Sequence, residues 1–177
     1  MPGRLTRWKG QLGFIDLIAE LRRRGRSIHG LIVGGAHQVK EGFQEELNRA
    51  VRHLRLEDDI TFLGHRNDLR EILAISTIVY SLTNEPEAFG RTTIEALSLG
   101  VPVIGYEHGG TAEILTAVFP GGLVDVFDIQ TVADRTEQFL RELPTVPNEH
   151  PYTTERLQGA TLSLYQKITE DRGPRWT

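Results

Sequence analysis

The sequence predicts an α/β domain built on a Rossmann-like parallel sheet with helices on both faces. Three observations predict it. Short apolar, partly β-branched runs alternate along the chain with apolar stripes at helical spacing. The loops between them are short and punctuated by glycine, as crossover connections between parallel strands require. The length of 177 residues, with 39% hydrophobic and 25% charged residues, suits one globular domain with a core of its own.

The elements follow in order. Leu12, Ile15, Ile18 and Leu21 form a helical stripe, and Gly25 is placed to end that helix. Residues 28–33, stopped by Gly34-Gly35, read as a buried strand. Phe43, Leu47, Val51 and Leu54 mark a second helix, and residues 60–63 a strand closed by Gly64. A short helix over 68–75 precedes a strand over 77–82. Residues 91–99 form a helix ended by Gly100, followed by a strand over 101–104, in which Pro102 is tolerated as an early residue. A helix over 110–115, a brief strand at 122–124 and a helix over 132–143 come next. Residues 144–147 are a turn-rich connector, and Leu157, Ala160, Leu164 and Ile168 mark a long final helix. The domain is expected to span 1–171, with 172–177 as a tail. Met1 to Arg4 lead straight into a loop and the first helix. The strand that normally opens such a sheet is thus expected to be missing, and the chain to begin inside a larger protein.

Composition removes several function classes. Net charge is −4, which argues against binding nucleic acid through a basic surface. Residues 1–30 nevertheless carry seven basic against two acidic groups. The absence of cysteine excludes disulfides, thiolate metal sites and cysteine nucleophiles. The histidines at 29, 37, 53, 65, 108 and 150 lack metal-ligand spacing, so no metal site is expected. There is no Walker lysine, no Gly-x-Ser-x-Gly elbow and no complete dinucleotide fingerprint at Gly34-Gly35-Ala36. With neither a membrane-span run nor a signal-peptide core, a cytoplasmic protein is the default expectation. Arg22-Arg23-Arg24 sits where cations complement a helix dipole; an anionic membrane surface is the alternative reading.

In a parallel α/β sheet the ligand lies beyond the carboxyl ends of the strands, which singles out the loops at 34–37, 64–67, 83–91 and 105–111. The stretch from Asn84 to Ile104 is the most informative. Gly90 at a helix entry lets a ligand approach the backbone, and the free N–H groups of Arg91, Thr92 and Thr93 would form an anion site. Glu87 and Glu95 are poor partners for phosphate but good bidentate acceptors for sugar hydroxyls; taken singly, each could be a solvated or capping carboxylate. Arg4 and Lys9 lie in a loop at a helix start, where the dipole does not help a cation, so they suggest either an anion to be neutralised or a solvated basic turn.

Taken together, these residues resemble the group 1 family of retaining, GT-B-fold glycosyltransferases. The shared pattern begins with Gly3-Arg4-Leu5, Lys9-Gly10 and Val33-Gly34-Gly35. It continues through Phe62-Leu63-Gly64, Glu87-x7-Glu95 with Phe89-Gly90 inside it, Gly-x-Pro-Val-Ile and Gly109-Gly110-Thr-Ala-Glu113. The resemblance runs from residue 3 to about 140 and implies the second, donor-binding half of a GT-B enzyme. It implies that Arg4 and Lys9 hold the donor diphosphate and stabilise the departing nucleotide, and that Glu95 binds ribose. Glu87, with the Phe89 and Gly90 amides, would sit beside the transferred sugar, and the Arg91 and Thr92 amides would meet the distal phosphate. His65 and Arg66 would cradle the base, with Gly34 in the same nucleotide-sugar set. Catalysis would rest on Glu87, Arg4 and Lys9. Ala88 stands where the family usually has proline, and Arg91-Thr92-Thr93 replace an aliphatic run, leaving those side chains without an inherited role.

The implied reaction transfers a sugar, with retention, from a nucleotide-diphosphate sugar to an acceptor hydroxyl in polysaccharide or glycolipid synthesis. No cofactor and no metal are implied. The acceptor-binding half would be absent, leaving this chain inactive alone, and any peripheral membrane contact would come through that half. The rival reading is a non-catalytic nucleotide-sugar-binding module or a structural remnant.

Overall fold

Among the described residues, five strands, each paired in parallel with a neighbour, organise the fold. The computed structural model describes residues 1–35, 41–147 and 149–171. Strands β1 (Gly30–Val33) and β2 (Ile60–Gly64) form one ladder, and β3 (Val79–Ser81), β4 (Val103–Tyr106) and β5 (Leu123–Val124) form another in that order. Every pair is parallel. The helices are α1 (Gln11–Arg23), α2 (Glu41–Leu54), α3 (Leu69–Ala74), α4 (Arg91–Ser98), α5 (Gly109–Val118), α6 (Ile129–Arg141) and α7 (Thr154–Asp171), with 3-10 turns at Arg7–Lys9 and Pro120–Gly122. This is the α/β alternation expected from the sequence.

The first residues differ from the expected plain loop. Pro2 bridges Val33 in parallel; the Gly3 N–H donates to the Val33 carbonyl at 2.8 Å, and the Val33 N–H to the Met1 carbonyl at 3.0 Å. On β1 the N–H groups of Gly30 and Gly34 turn instead toward Asp59 and Gly64 of the β2 side. Residues 1–3 therefore lie as an extended stub on the β1 edge opposite β2, with Met1 buried in the core.

The core is built from the expected stripes of the earlier helices and strands, but not from that of α7. Ile15, Leu17, Ile18 and Leu21 of α1 are buried, and Phe14 packs on Tyr80 of β3 with ring centroids 5.3 Å apart. All four residues of β4 are buried, as a strand covered on both faces requires. That strand runs two residues past the expected end because Gly105 is part of it: a Cβ there would lie 2.6 Å from Thr111 Cγ2. α6 begins three residues before the expected start, where Asp128 caps it by accepting the Thr131 N–H at 2.9 Å. The apolar stripe of α7 is exposed, Leu157 by 70% and Leu164 by 56%.

The arginine triplet at the end of α1 is committed internally. Arg22 pairs with Asp59 at 2.8 Å, Arg23 with Glu20 at 2.7 Å, and Arg24 with Glu20, Asp134 and Glu137 at 2.7, 2.5 and 3.2 Å. These internal pairs occupy the triplet's charges, and Arg24 clasps the end of α1 to α6. Among the described residues, no helix is long and apolar enough to cross a membrane. Ala36, His37 and the tail at 172–177 lie outside the described residues.

Candidate functional site

The basic loop of residues 4–9 is held against the carboxyl end of β3. Gly10 adopts φ +77°, and a Cβ there would fall 1.6 Å from the Leu82 carbonyl oxygen, so only glycine lets the loop pass. Asn84 donates from its side chain to the Arg7 carbonyl at 2.9 Å and from its N–H to the Trp8 carbonyl at 2.7 Å. Gln11, 1% exposed, donates Nε2 to the Arg4 carbonyl at 2.9 Å. Neither Asn84 nor Gln11 was assigned a part from the sequence; a polar residue opening the otherwise apolar face of α1 was the available signal. Gly34 is equally constrained: its Cβ would lie 1.9 Å from the Gly3 carbonyl oxygen.

Gly90 precedes α4 with φ +81°, and no side chain caps that helix. The Thr93 N–H donates to the Gly90 carbonyl at 3.0 Å, which corrects the expectation of three free amides. The Arg91 and Thr92 N–H groups have no partner among the described residues and present the positive end of the helix dipole, with no acid in its first turn.

A cavity of about 730 Å³ opens here. Arg4, Gly34, His65 and Arg66 line it from one side; Arg91, Thr92 and Glu95 line it from α4. Glu95 lies on the same face as Arg91, whose Nε is 3.3 Å from a carboxylate oxygen. The Arg66 guanidinium is engaged by Asp68 at 2.8 and 2.5 Å, and that pairing holds the Asp68 carboxyl below its usual range. Arg66 therefore offers the cavity its backbone more readily than its charge.

The remaining residues of the expected set stand outside the cavity lining, beyond the Gly90 turn. Lys9 Nζ lies 2.5 Å from Glu87 Oε1 and 4.2 Å from the centre of the Trp8 ring. The loop carrying Glu87 rests on the start of α5: the Gly110 N–H donates to the Glu87 carbonyl at 2.7 Å, and a Cβ on Gly110 would lie 2.4 Å from the Phe89 carbonyl carbon. The Phe89 ring meets Tyr152 edge-on at 6.0 Å. The structure thus divides the set into a cavity group containing Arg4 and Glu95 and a Lys9–Glu87 pair, joined through Gly90. Among the described residues, no three His, Cys, Asp or Glu side chains gather as a metal site would need.

Comparison with known proteins places the chain as a whole. N-acetyl-alpha-D-glucosaminyl L-malate synthase of Bacillus anthracis is 38% identical over 92 residues, covering 52% of this chain and 24% of that protein. Sucrose synthase 1 of Zea mays is 27% identical over 178 residues, covering 94% of this chain and 22% of its own length. Among solved structures, Anabaena Alr3699/HepE in complex with UDP superposes with a TM-score of 0.72 at 29% identity, over 79% of this chain and 38% of that one. The chain thus spans well under half the length of each, and its mixed α/β fold with parallel sheets is that of GT-B glycosyltransferases. The family model described as glycosyl transferases group 1 matches residues 1–149, and the chain belongs to that family.

Proposed function

We propose that this chain is the donor-binding domain of a retaining glycosyltransferase that moves a sugar from a nucleotide-diphosphate sugar to an acceptor hydroxyl, in polysaccharide or glycolipid synthesis. One observation carries the reading. Arg4, Arg91, Thr92 and Glu95 line a single cavity, and Glu87, paired with Lys9, lies in the loop that leads through Gly90 into α4.

The chemistry follows from charge. Breaking the anomeric C–O bond leaves negative charge on the diphosphate and positive charge on the sugar. Arg4, Lys9 and the α4 amides stabilise the first, at roughly 1.5–3 kcal/mol for each charge-assisted hydrogen bond. Glu95 accepts the two ribose hydroxyls, and the backbone at Gly34, His65 and Arg66 walls the base. Glu87, aided by the Phe89 and Gly90 amides, orients the sugar and favours its developing cation. These cations and amides neutralise the diphosphate, so the site needs no divalent metal. A double displacement would require two carboxylates ~5 Å apart flanking the bond, and Glu95 is committed to ribose.

Support for the donor class comes from the HepE structures, which hold UDP and UDP-glucose. The acceptor is assigned to polypeptide outside this chain, since the relatives are several times longer; the protein works in the cytoplasm, with any membrane contact through that other part. Titration calorimetry of the chain with UDP-, GDP- and ADP-glucose tests the reading. Saturable binding of one of them, without turnover, is expected; no binding of any would leave a structural remnant as the better account.

A further inference from the structure

We infer that His108 is a specificity-determining residue that reads a hydroxyl of the transferred sugar through its Nδ1 atom, an inference resting on the donor-binding reading above. His108 precedes α5 in extended conformation (φ −155°, ψ 157°). The next two residues are the glycines whose missing side chains let the Glu87–Phe89 backbone lie against α5, so His108 belongs to the same loop junction as Glu87.

The protonation pattern of its ring is dictated by what it touches. Nε2 lies 2.7 Å from the Thr83 carbonyl oxygen and 3.3 Å from Thr83 Oγ1. A carbonyl oxygen only accepts, so Nε2 carries the hydrogen, and in the neutral ring Nδ1 is an acceptor. Nδ1 has no hydrogen-bond partner among the described residues, and it is not among the side-chain atoms sealed from solvent without one. The anchor is rigid: Thr83 is 2% exposed, and its neighbour Asn84 holds the Trp8 carbonyl beside Lys9. The ring also meets Tyr106 edge-on, with centroids 6.4 Å apart.

A sugar hydroxyl both donates and accepts. Beside the Glu87 carboxylate proposed to orient the sugar, His108 supplies a second, uncharged acceptor. An acceptor held at one angle by two contacts discriminates between epimers that place a hydroxyl toward it or away from it.

His108→Gln separates this role from a merely structural one, because the glutamine amide can still donate to the Thr83 carbonyl but offers no acceptor at the Nδ1 position. Calorimetry of the chain at pH 8 with UDP and with UDP-glucose is the experiment, alongside thermal melting. The expected result is an unchanged melting temperature, UDP affinity within twofold of wild type, and a loss of about fivefold in the advantage of UDP-glucose over UDP. An unchanged advantage overturns the inference and leaves the donor reading standing; wild-type chain that binds neither probe overturns both. Nitrogen-15 NMR of the wild-type histidines gives a check free of mutation. The non-protonated Nδ1 resonance of His108 should move when UDP-glucose is added and stay with UDP, and a resonance that ignores UDP-glucose likewise overturns the inference.

Discussion

The ammonium of Lys9 rests 2.5 Å from a carboxylate oxygen of Glu87 across 78 residues of sequence, with the two side chains only 13% and 21% exposed. A half-buried pair of this kind fixes both groups and leaves whichever survives a mutation without its counter-charge. Lys9→Met is expected to weaken UDP binding tenfold to a hundredfold, since it removes a proposed diphosphate ligand and exposes the phosphates to an unpaired Glu87. Glu87→Gln is expected to leave UDP affinity near wild type while reducing the added affinity of the sugar. Calorimetry with UDP and UDP-glucose reads both effects.

Glu95 faces the cavity from the second turn of α4, and its proposed partner is ribose. Glu95→Gln is expected to weaken UDP about tenfold, the weight of charge-assisted hydrogen bonds, and wild type should bind 2′-deoxy-UDP about as weakly. Equal affinity of the variant and wild type for UDP would remove the ribose assignment.

Two glycines in the candidate site are steric requirements. Gly10→Ala places a Cβ 1.6 Å from a backbone oxygen at φ +77°, and Gly110→Ala places one 2.4 Å from the Phe89 carbonyl carbon. Each is expected to cost about 2–4 kcal/mol in chemical denaturation. Gly159→Ala, on the exposed α7 with nothing within 4 Å of its Cβ, is expected to stabilise by about 0.5–1 kcal/mol.

Acid should loosen the α1–α6 clasp. Hydrogen bonds from Arg23 and Arg24 hold Glu20 down from 4.5 to about 2, and Arg26 foremost lowers Glu137. A carboxylate depressed in the folded state contributes its full stabilisation above pH 4.5 and loses it as pH falls toward 2. The melting temperature is therefore expected to fall across that window, and Glu20→Gln to flatten the fall.

Much of this was readable in the sequence for physical reasons. Helices with a buried stripe, such as α1 around Ile15 and Ile18, announce themselves by period, and Gly90 marks the entry to α4, where the structure shows φ +81°. Edges were less readable. The sequence reading ends β4 at Ile104, whereas the strand continues through Gly105, whose missing side chain admits α5. Cross-chain polar contacts leave no periodic trace, which is why Gln11 holding Arg4, the clasp from Arg24 to α6 and the ring of His108 on Thr83 emerged only with the fold. The Thr93 amide was lost to a tight turn at Gly90 that spacing alone does not show.

In the proposed function, Arg4 and the first turn of α4 meet on one pyrophosphate. The most direct measurement compares UMP with UDP on wild type and on Arg4→Leu, with melting curves alongside. Wild type should bind UDP at least tenfold tighter than UMP, and Arg4→Leu should lose most of that preference while melting as before. A preference for UDP that survives the substitution intact would contradict the account.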